Sequence, residues 1–123
     1  MNGNRVLLDN NAVLYVLNGD ETLADFLFER ELYLSIISEM ELLAYKNITN
    51  EERKKIEEFL SDFIIINIDE KIKSNTIEVK KLSNMKLPDS IIAGTSIALN
   101  LPLITSDKQF KTVKDLDLVF YEK

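Results

Sequence analysis

Apolar residues in this chain fall in short, nearly unbroken runs separated by longer amphipathic stretches. Arg5–Leu8 is a brief apolar run ended by Asp9-Asn10-Asn11, and it reads as a buried strand. Ala12–Leu17 reads as a helix apolar all round, closed by Asn18-Gly19-Asp20, where the glycine suits a positive φ. Leu23, Phe26 and Leu27 mark a second helical stripe. Leu32–Ile37, rich in aromatic and β-branched residues, predicts a strand. Helices follow over Ser38–Tyr45 and Asn50–Leu60, the latter with Glu52, Ile56, Phe59 and Leu60 on one side. Phe63–Ile66 predicts the most clearly buried strand, and Asp69 caps a helix running to about Ser83. Pro88-Asp89 opens the strongest helix, with Ile91, Ile92, Thr95, Ala98 and Leu99 on its apolar face and Asn100 as its stop. Leu101–Thr105 is a strand, Lys108–Phe110 a turn, and Leu116–Tyr121 a last strand.

Strands that alternate with helices, and are continuously apolar, indicate an α/β fold whose parallel sheet is covered on both faces. No repeat, linker or low-complexity segment divides the 123 residues, so 1–123 is expected to be a single domain. The longest apolar runs are far too short to span a membrane, and no basic stretch with a cleavage site precedes them. A cytoplasmic protein with no membrane partner is the expectation.

Composition then narrows the chemistry. The chain has no cysteine and no histidine. Disulfides, thiolate metal sites and cysteine nucleophiles are excluded, as are the Ser–His–Asp triad and the commonest zinc ligand. A net charge of −6 does not suit a uniformly basic nucleic-acid binder. The basic residues do cluster, in Lys71, Lys73, Lys80, Lys81 and Lys86 and then in Lys108, Lys111 and Lys114. These are either two solvated faces or a local basic rim around an acidic centre.

Four acids stand at strand-to-helix handovers: Asp9, Glu41, Asp89 and Asp107. Each has an ordinary explanation. Asp9 can end a strand in an Asx-turn onto Asn11, and Glu41 follows Ser38 at capping-box spacing. Asp89 is a natural N-cap, and Asp107 a turn residue. Taken together they read differently. In a doubly wound sheet all four positions share the rim outside the strand ends, where like charges repel unless a cation neutralises them. Carboxylate oxygens suit a hard cation such as Mg²⁺ or Mn²⁺, which can assist in-line displacement at phosphate.

The chain resembles the PIN-domain ribonucleases, and within them the small VapC-like toxins of type II toxin–antitoxin pairs. The resemblance covers nearly the whole chain and rests on Leu7–Asp20, Leu32–Leu43, Lys86–Thr105 and Ser106–Phe110 in that order. Asp9 and Asn11 match a D-x-N motif; Ser38 and Glu41, not Glu39, match S/T-x-x-E-L; Asp89 follows Leu-Pro; Thr105 and Asp107 match T-x-D. Two positions depart from the family pattern. Asn10 replaces the usual Thr, and Gly94 stands mid-helix where Ala is usual, a weakening of roughly 0.8–1 kcal/mol unless close packing uses the missing Cβ.

The resemblance implies a single PIN-like domain with a central parallel five-stranded sheet in the order 3-2-1-4-5 and helices on both faces. It implies a divalent-metal-dependent endoribonuclease using Mg²⁺ or Mn²⁺, acting on RNA and held in check by a VapB-like antitoxin, with the toxin a homodimer. Asp9, Asp89 and Asp107 would hold metal, and Glu41 would ligate directly or through water. Asn11, Ser38 and Thr105 would hold the carboxylates in place by hydrogen bonds. The competing readings are a PIN-like module that binds RNA or protein without cutting, and a phosphatase or receiver-type acidic site. A haloacid-dehalogenase-like phosphatase wants a second Asp where Asn11 stands, and a receiver wants paired acids after the first strand, where Asp9 is alone. The early helices also carry Leu23, Phe26, Phe28 and Phe59, candidate anchors for an antitoxin peptide.

Overall fold

The structure, a computed structural model, describes residues 4–122. Eleven elements alternate along it: β1 (Arg5–Leu8), α1 (Asn10–Leu17), α2 (Glu21–Leu27), β2 (Glu31–Ser35), α3 (Ile36–Leu43), α4 (Asn50–Leu60), β3 (Ile64–Ile66), α5 (Glu70–Leu82), α6 (Leu87–Leu99), β4 (Leu103–Thr105) and β5 (Leu118–Phe120). A 3₁₀ turn, Lys108–Thr112, joins the last two strands. All the strand pairs are parallel, in the order β3-β2-β1-β4-β5, as the resemblance implied.

Strand alternation divides the core into two layers, because successive side chains point to opposite faces. Val6 and Leu8 of β1, Leu34 of β2 and Ile104 of β4 pack against Ala12, Val13, Leu23, Leu42 and Leu60 from α1 to α4. Leu7, Tyr33 and Leu103 face the other way, onto Val79, Ile92 and Ala93 of α5 and α6. Helix α6 is buried along nearly its whole length, from Ser90 to Ser96 and at Ala98, between the sheet and α5. Where α6 crosses α5 the two backbones come so close that a Cβ on Gly94 would lie 2.4 Å from Thr76 Oγ1 and 2.8 Å from Thr76 N. The missing Cβ is therefore used in packing.

Several boundaries differ from the sequence reading. Strand β2 stops at Ser35, whose hydroxyl accepts from Ile37 N at 3.2 Å and caps α3. Ile36 and Ile37, β-branched and read as strand, therefore open a helix, a case of a local cap overriding strand propensity. The Phe63–Ile66 run forms a shorter strand at the sheet edge, with Ile64 43% exposed, rather than the most buried one. β4 and β5 are likewise shorter than the apolar runs that contain them. Asn100 ends α6 in the left-handed region, at φ 54°, and Gly19 turns the chain at φ 95°. Asp69 caps α5 by accepting from Ile72 N at 2.8 Å.

The chain leaves β1 toward β2 and β3 on one side and returns to β4 and β5 on the other. The crevice outside the ends of β1 and β4 is thus the switch point at which open α/β sheets bind ligands. Leu7 pairs with Leu103 and Leu8 with Ile104, so the residues that follow these strands are delivered side by side.

Candidate active site

Asp9 is the first residue beyond β1 and is only 6% exposed. Its Oδ1 accepts from Asn10 N at 2.8 Å, capping α1. Its Oδ2 accepts from the Thr105 hydroxyl at 2.7 Å, across the gap from β1 to the end of β4. Asn11 reaches the same two groups, its Nδ2 lying 3.4 Å from both Asp9 Oδ2 and Thr105 Oγ1. Asn11 Oδ1 meanwhile accepts from Ser106 N at 3.2 Å, tying helix α1 to the loop after β4. Both Asn11 and Thr105 thus hold the buried carboxylate.

Asp107 lies two residues past β4, where its backbone N–H donates to Thr105 Oγ1 at 3.0 Å. Its Oδ1 accepts from Gln109 N at 3.0 Å and so shapes the 3₁₀ turn. The Gln109 side chain then bridges two carboxylates, Nε2 donating to Asp107 Oδ2 at 2.7 Å and to Asp89 Oδ2 at 3.0 Å. Asp89 is the third residue of α6, after Leu87 and Pro88. The N-cap is Lys86, with no side-chain capping bond, so Asp89 does not serve as the cap its sequence position suggested. Pro88 is well placed there, because its absent N–H has no helical partner to lose.

Glu41 is exposed in α3 and its Oε1 accepts from Asn10 Nδ2 at 3.1 Å. No capping box forms at Ser38, because Ser35 takes that position. Ser38 instead lies fully buried, and its hydroxyl has no hydrogen-bond partner. The expectation that Ser38 braces a carboxylate is not realised in this geometry. Asn10 takes a share of that role, linking Asp9 through its backbone to Glu41 through its amide. One chain of hydrogen bonds therefore runs Glu41–Asn10–Asp9–Thr105–Asp107–Gln109–Asp89 and joins all four acids.

Sequence reasoning missed Gln109. Its signal is faint: a long amide two residues past Asp107, in a turn whose partner at Asp89 lies 20 residues away.

Electrostatics follow from burial. The Asp9 carboxyl is raised from its ordinary value of 3.8 to about 6, chiefly by burial and further by the charges of Asp89 and Asp107, against lowering by the Thr105 and Asn10 hydrogen bonds. Asp89 is also raised, first by burial and then by Asp107, with Gln109 and Lys86 opposing. Lys86 is therefore the residue of the first basic stretch that acts on the site. Lys73 and Lys81 pair with Glu70 and Glu78 on the exposed face of α5, and Lys111 lies 3.9 Å from the centre of the Phe120 ring. The lysines of both stretches are exposed to solvent.

The donor set is all oxygen, with the buried Asp9 feeling the charges of Asp89 and Asp107, which fits a hard divalent cation by chemical type. Among the described residues no three acidic groups stand close enough to form a ready-made cage. The Gln109 amide occupies the place between Asp89 and Asp107.

A parallel five-stranded sheet with acids gathered at its switch point defines an α/β domain of the acidic-site kind. The PIN-domain family model matches residues 6–116, and this chain belongs to the PIN-domain family. Solved structures agree on the fold. A toxin–antitoxin complex from Klebsiella pneumoniae is 27% identical with a TM-score of 0.81, the match covering 96% of this chain and 99% of that one. VapBC2 from Rickettsia felis, bound to a promoter DNA fragment, is 23% identical with a TM-score of 0.85 and the same coverage. VapBC-1 from nontypeable Haemophilus influenzae is 22% identical with a TM-score of 0.78, over 94% of this chain and 97% of that one. No curated protein matches the chain by sequence.

Proposed function

We propose that this protein is a divalent-metal-dependent endoribonuclease of VapC type, the toxin of a toxin–antitoxin pair. The observation that carries the reading is the hydrogen-bonded chain joining Asp9, Asp107, Asp89 and Glu41 at the switch point. Family membership and the likeness to toxin–antitoxin complexes support it.

Asp9, Asp89 and Asp107 would hold Mg²⁺ or Mn²⁺, which supplies charge neutralisation at a phosphate and an activated water. Thr105, Asn11 and the Asn10 backbone N–H fix the orientation of Asp9, so its carboxylate needs little reorganisation on binding. Glu41, exposed beside Asn10, is placed to accept a proton from the attacking water or to orient it. Lys86, which already acts on Asp89, offers a cation to the RNA backbone at the rim of an acidic site.

Purified protein incubated with total RNA should cut it when Mn²⁺ or Mg²⁺ is present and not when the metal is chelated, with cut ends mapping to discrete positions. Glu41→Gln should reduce cutting and Glu39→Gln should not. The reverse order would place α3 half a turn out of register. Intact RNA under all conditions would favour a PIN-like module that binds without cutting.

A partner surface accompanies the site. Leu23 and Phe59, expected as anchors, belong to or pack on the core, whereas Phe26 and Phe28 remain 41% and 75% exposed. Leu14 borders a groove of about 160 Å³ between α1 and α4, lined also by Leu17, Asn18, Glu52, Lys55 and Ile56. A VapB-like antitoxin segment would lie along these helices, and the toxin would be a homodimer. Among the described residues no helix is long and apolar enough to cross a membrane. Sizing chromatography should give a dimer, and co-expression with a neighbouring small gene should give an inactive complex. A monomer with no copurifying partner would contradict the toxin–antitoxin assignment.

A further inference from the structure

Gln109 spends both side-chain N–H bonds on carboxylates from two separate elements. Asp89 comes from the start of α6 and Asp107 from the loop after β4, and the amide holds them at 3.0 and 2.7 Å. The turn itself does not need this side chain, because the Gln109 backbone N–H already donates to Asp107 Oδ1. The amide nitrogen donates hydrogen bonds but has no lone pair with which to ligate a cation. It therefore stands between two carboxylates where a shared cation would stand, bonded to one oxygen of each.

We infer that Gln109 is a metal-displaced latch: its carboxamide cross-links Asp89 and Asp107 and gives way when the two carboxylates share a cation. The inference rests on the metal-site reading above. Its physical basis is competition for the place between the two carboxylates. A half-buried glutamine on a short 3₁₀ turn has the side-chain freedom to swing clear, whereas Asp9, clamped by Thr105 and Asn10, does not. The latch relieves repulsion between Asp89 and Asp107 when no metal is present. It also lowers the apparent metal affinity by the fraction of molecules in which it is open. Gln109 is thus a positioning residue that sets the metal concentration at which the site fills.

The test compares wild type, Gln109→Ala and Gln109→Asn, the last too short to span both carboxylates. After treatment with chelator, Mn²⁺ is titrated into each by calorimetry at pH 7.5, and melting temperatures are recorded without metal. In wild type, the Gln109 side-chain NH₂ resonances, assigned by their loss in Gln109→Ala, are followed during Mg²⁺ addition. The latch predicts a lower metal-free melting temperature in both variants and Mn²⁺ binding tighter by about tenfold, the scale of one charge-assisted hydrogen bond. It also predicts NH₂ resonances that move as Mg²⁺ fills the site. A purely structural glutamine would lower the melting temperature but leave Mn²⁺ affinity and the NH₂ resonances unchanged in the presence of metal. That result overturns the latch while the metal site stands. No Mn²⁺ binding by wild type or either variant overturns the metal reading and the latch with it.

Discussion

Asp9→Asn is expected to reduce RNA cleavage by at least ~100-fold while making the metal-free protein more stable at pH 8. The two effects have one cause. In the folded state burial and the neighbouring aspartates raise the Asp9 pKa to about 6, so the native protein binds this proton more tightly than the unfolded chain does. Where the native state binds more protons, stability falls as pH rises. The penalty therefore grows from about pH 4 to pH 6 and is complete above that. Recovered in full, a shift of this size corresponds to about 3 kcal/mol. The amide returns less, because Asp9 accepts from both Thr105 and Asn10 and asparagine has only one acceptor oxygen. A gain of about 1 kcal/mol is expected at pH 8, fading toward pH 4. Urea unfolding of both proteins in chelator at the two pH values measures it. Equal midpoints at pH 8 would contradict the burial argument. For the same reason, Mn²⁺ affinity of the wild type should rise with pH through about 6, as the buried ligand loses its proton.

Gly94→Ala is expected to destabilise the fold by about 2 kcal/mol, although alanine is the better helix former by about 1 kcal/mol. The added Cβ would lie 2.4 Å from Thr76 Oγ1, 2.8 Å from Thr76 N and 3.0 Å from Thr76 Cα. Rotating the threonine does not solve this, because two of those atoms are backbone of α5. Its hydroxyl is in any case committed to Ile72 O at 2.8 Å. Helix α5 must move away from α6 and open the layer that holds Val79, Ile92 and Ala93. Gly94→Val should cost more. Thr76→Ala should not rescue Gly94→Ala, since the backbone contacts remain. A Gly94→Ala protein at least as stable as wild type in urea would show that the helices are further apart than this.

Much of this molecule was legible in its sequence because its determinants are local. A buried parallel strand is a short apolar run wherever it occurs, so Arg5–Leu8 is read with its observed ends and Leu101–Thr105 announces β4 even with its start misplaced. A chain that hands over from strand to helix must cap the helix, so Asp9 and Asp107 stand at recognisable punctuation. Legibility stops where a feature depends on two distant segments. Ile36 and Ile37 are helical because the pairing of β2 with β3 ends at Ser35, which then caps α3 against their own propensity. The isoleucines of β3 look like the centre of a sheet and lie at its edge, because strand order is not written in any one strand. Gly94 reads as a helix defect until Thr76 is placed against it. Gln109 carries no motif at all, and its importance lies wholly in reaching Asp89. Ser38 fits the family pattern in sequence, yet its buried hydroxyl lacks a partner.

The central claim is that the acids at the switch point form one metal-dependent site that cuts RNA. Asp89 tests it best, because it makes no helix cap and meets the other acids only through Gln109 and through charge. Wild type and Asp89→Asn, matched for melting temperature without metal, are incubated with the same RNA in millimolar Mn²⁺ and the initial rates compared. The account predicts cleavage by wild type, and loss of at least ~100-fold in the variant. Cleavage by Asp89→Asn at the wild-type rate would contradict it.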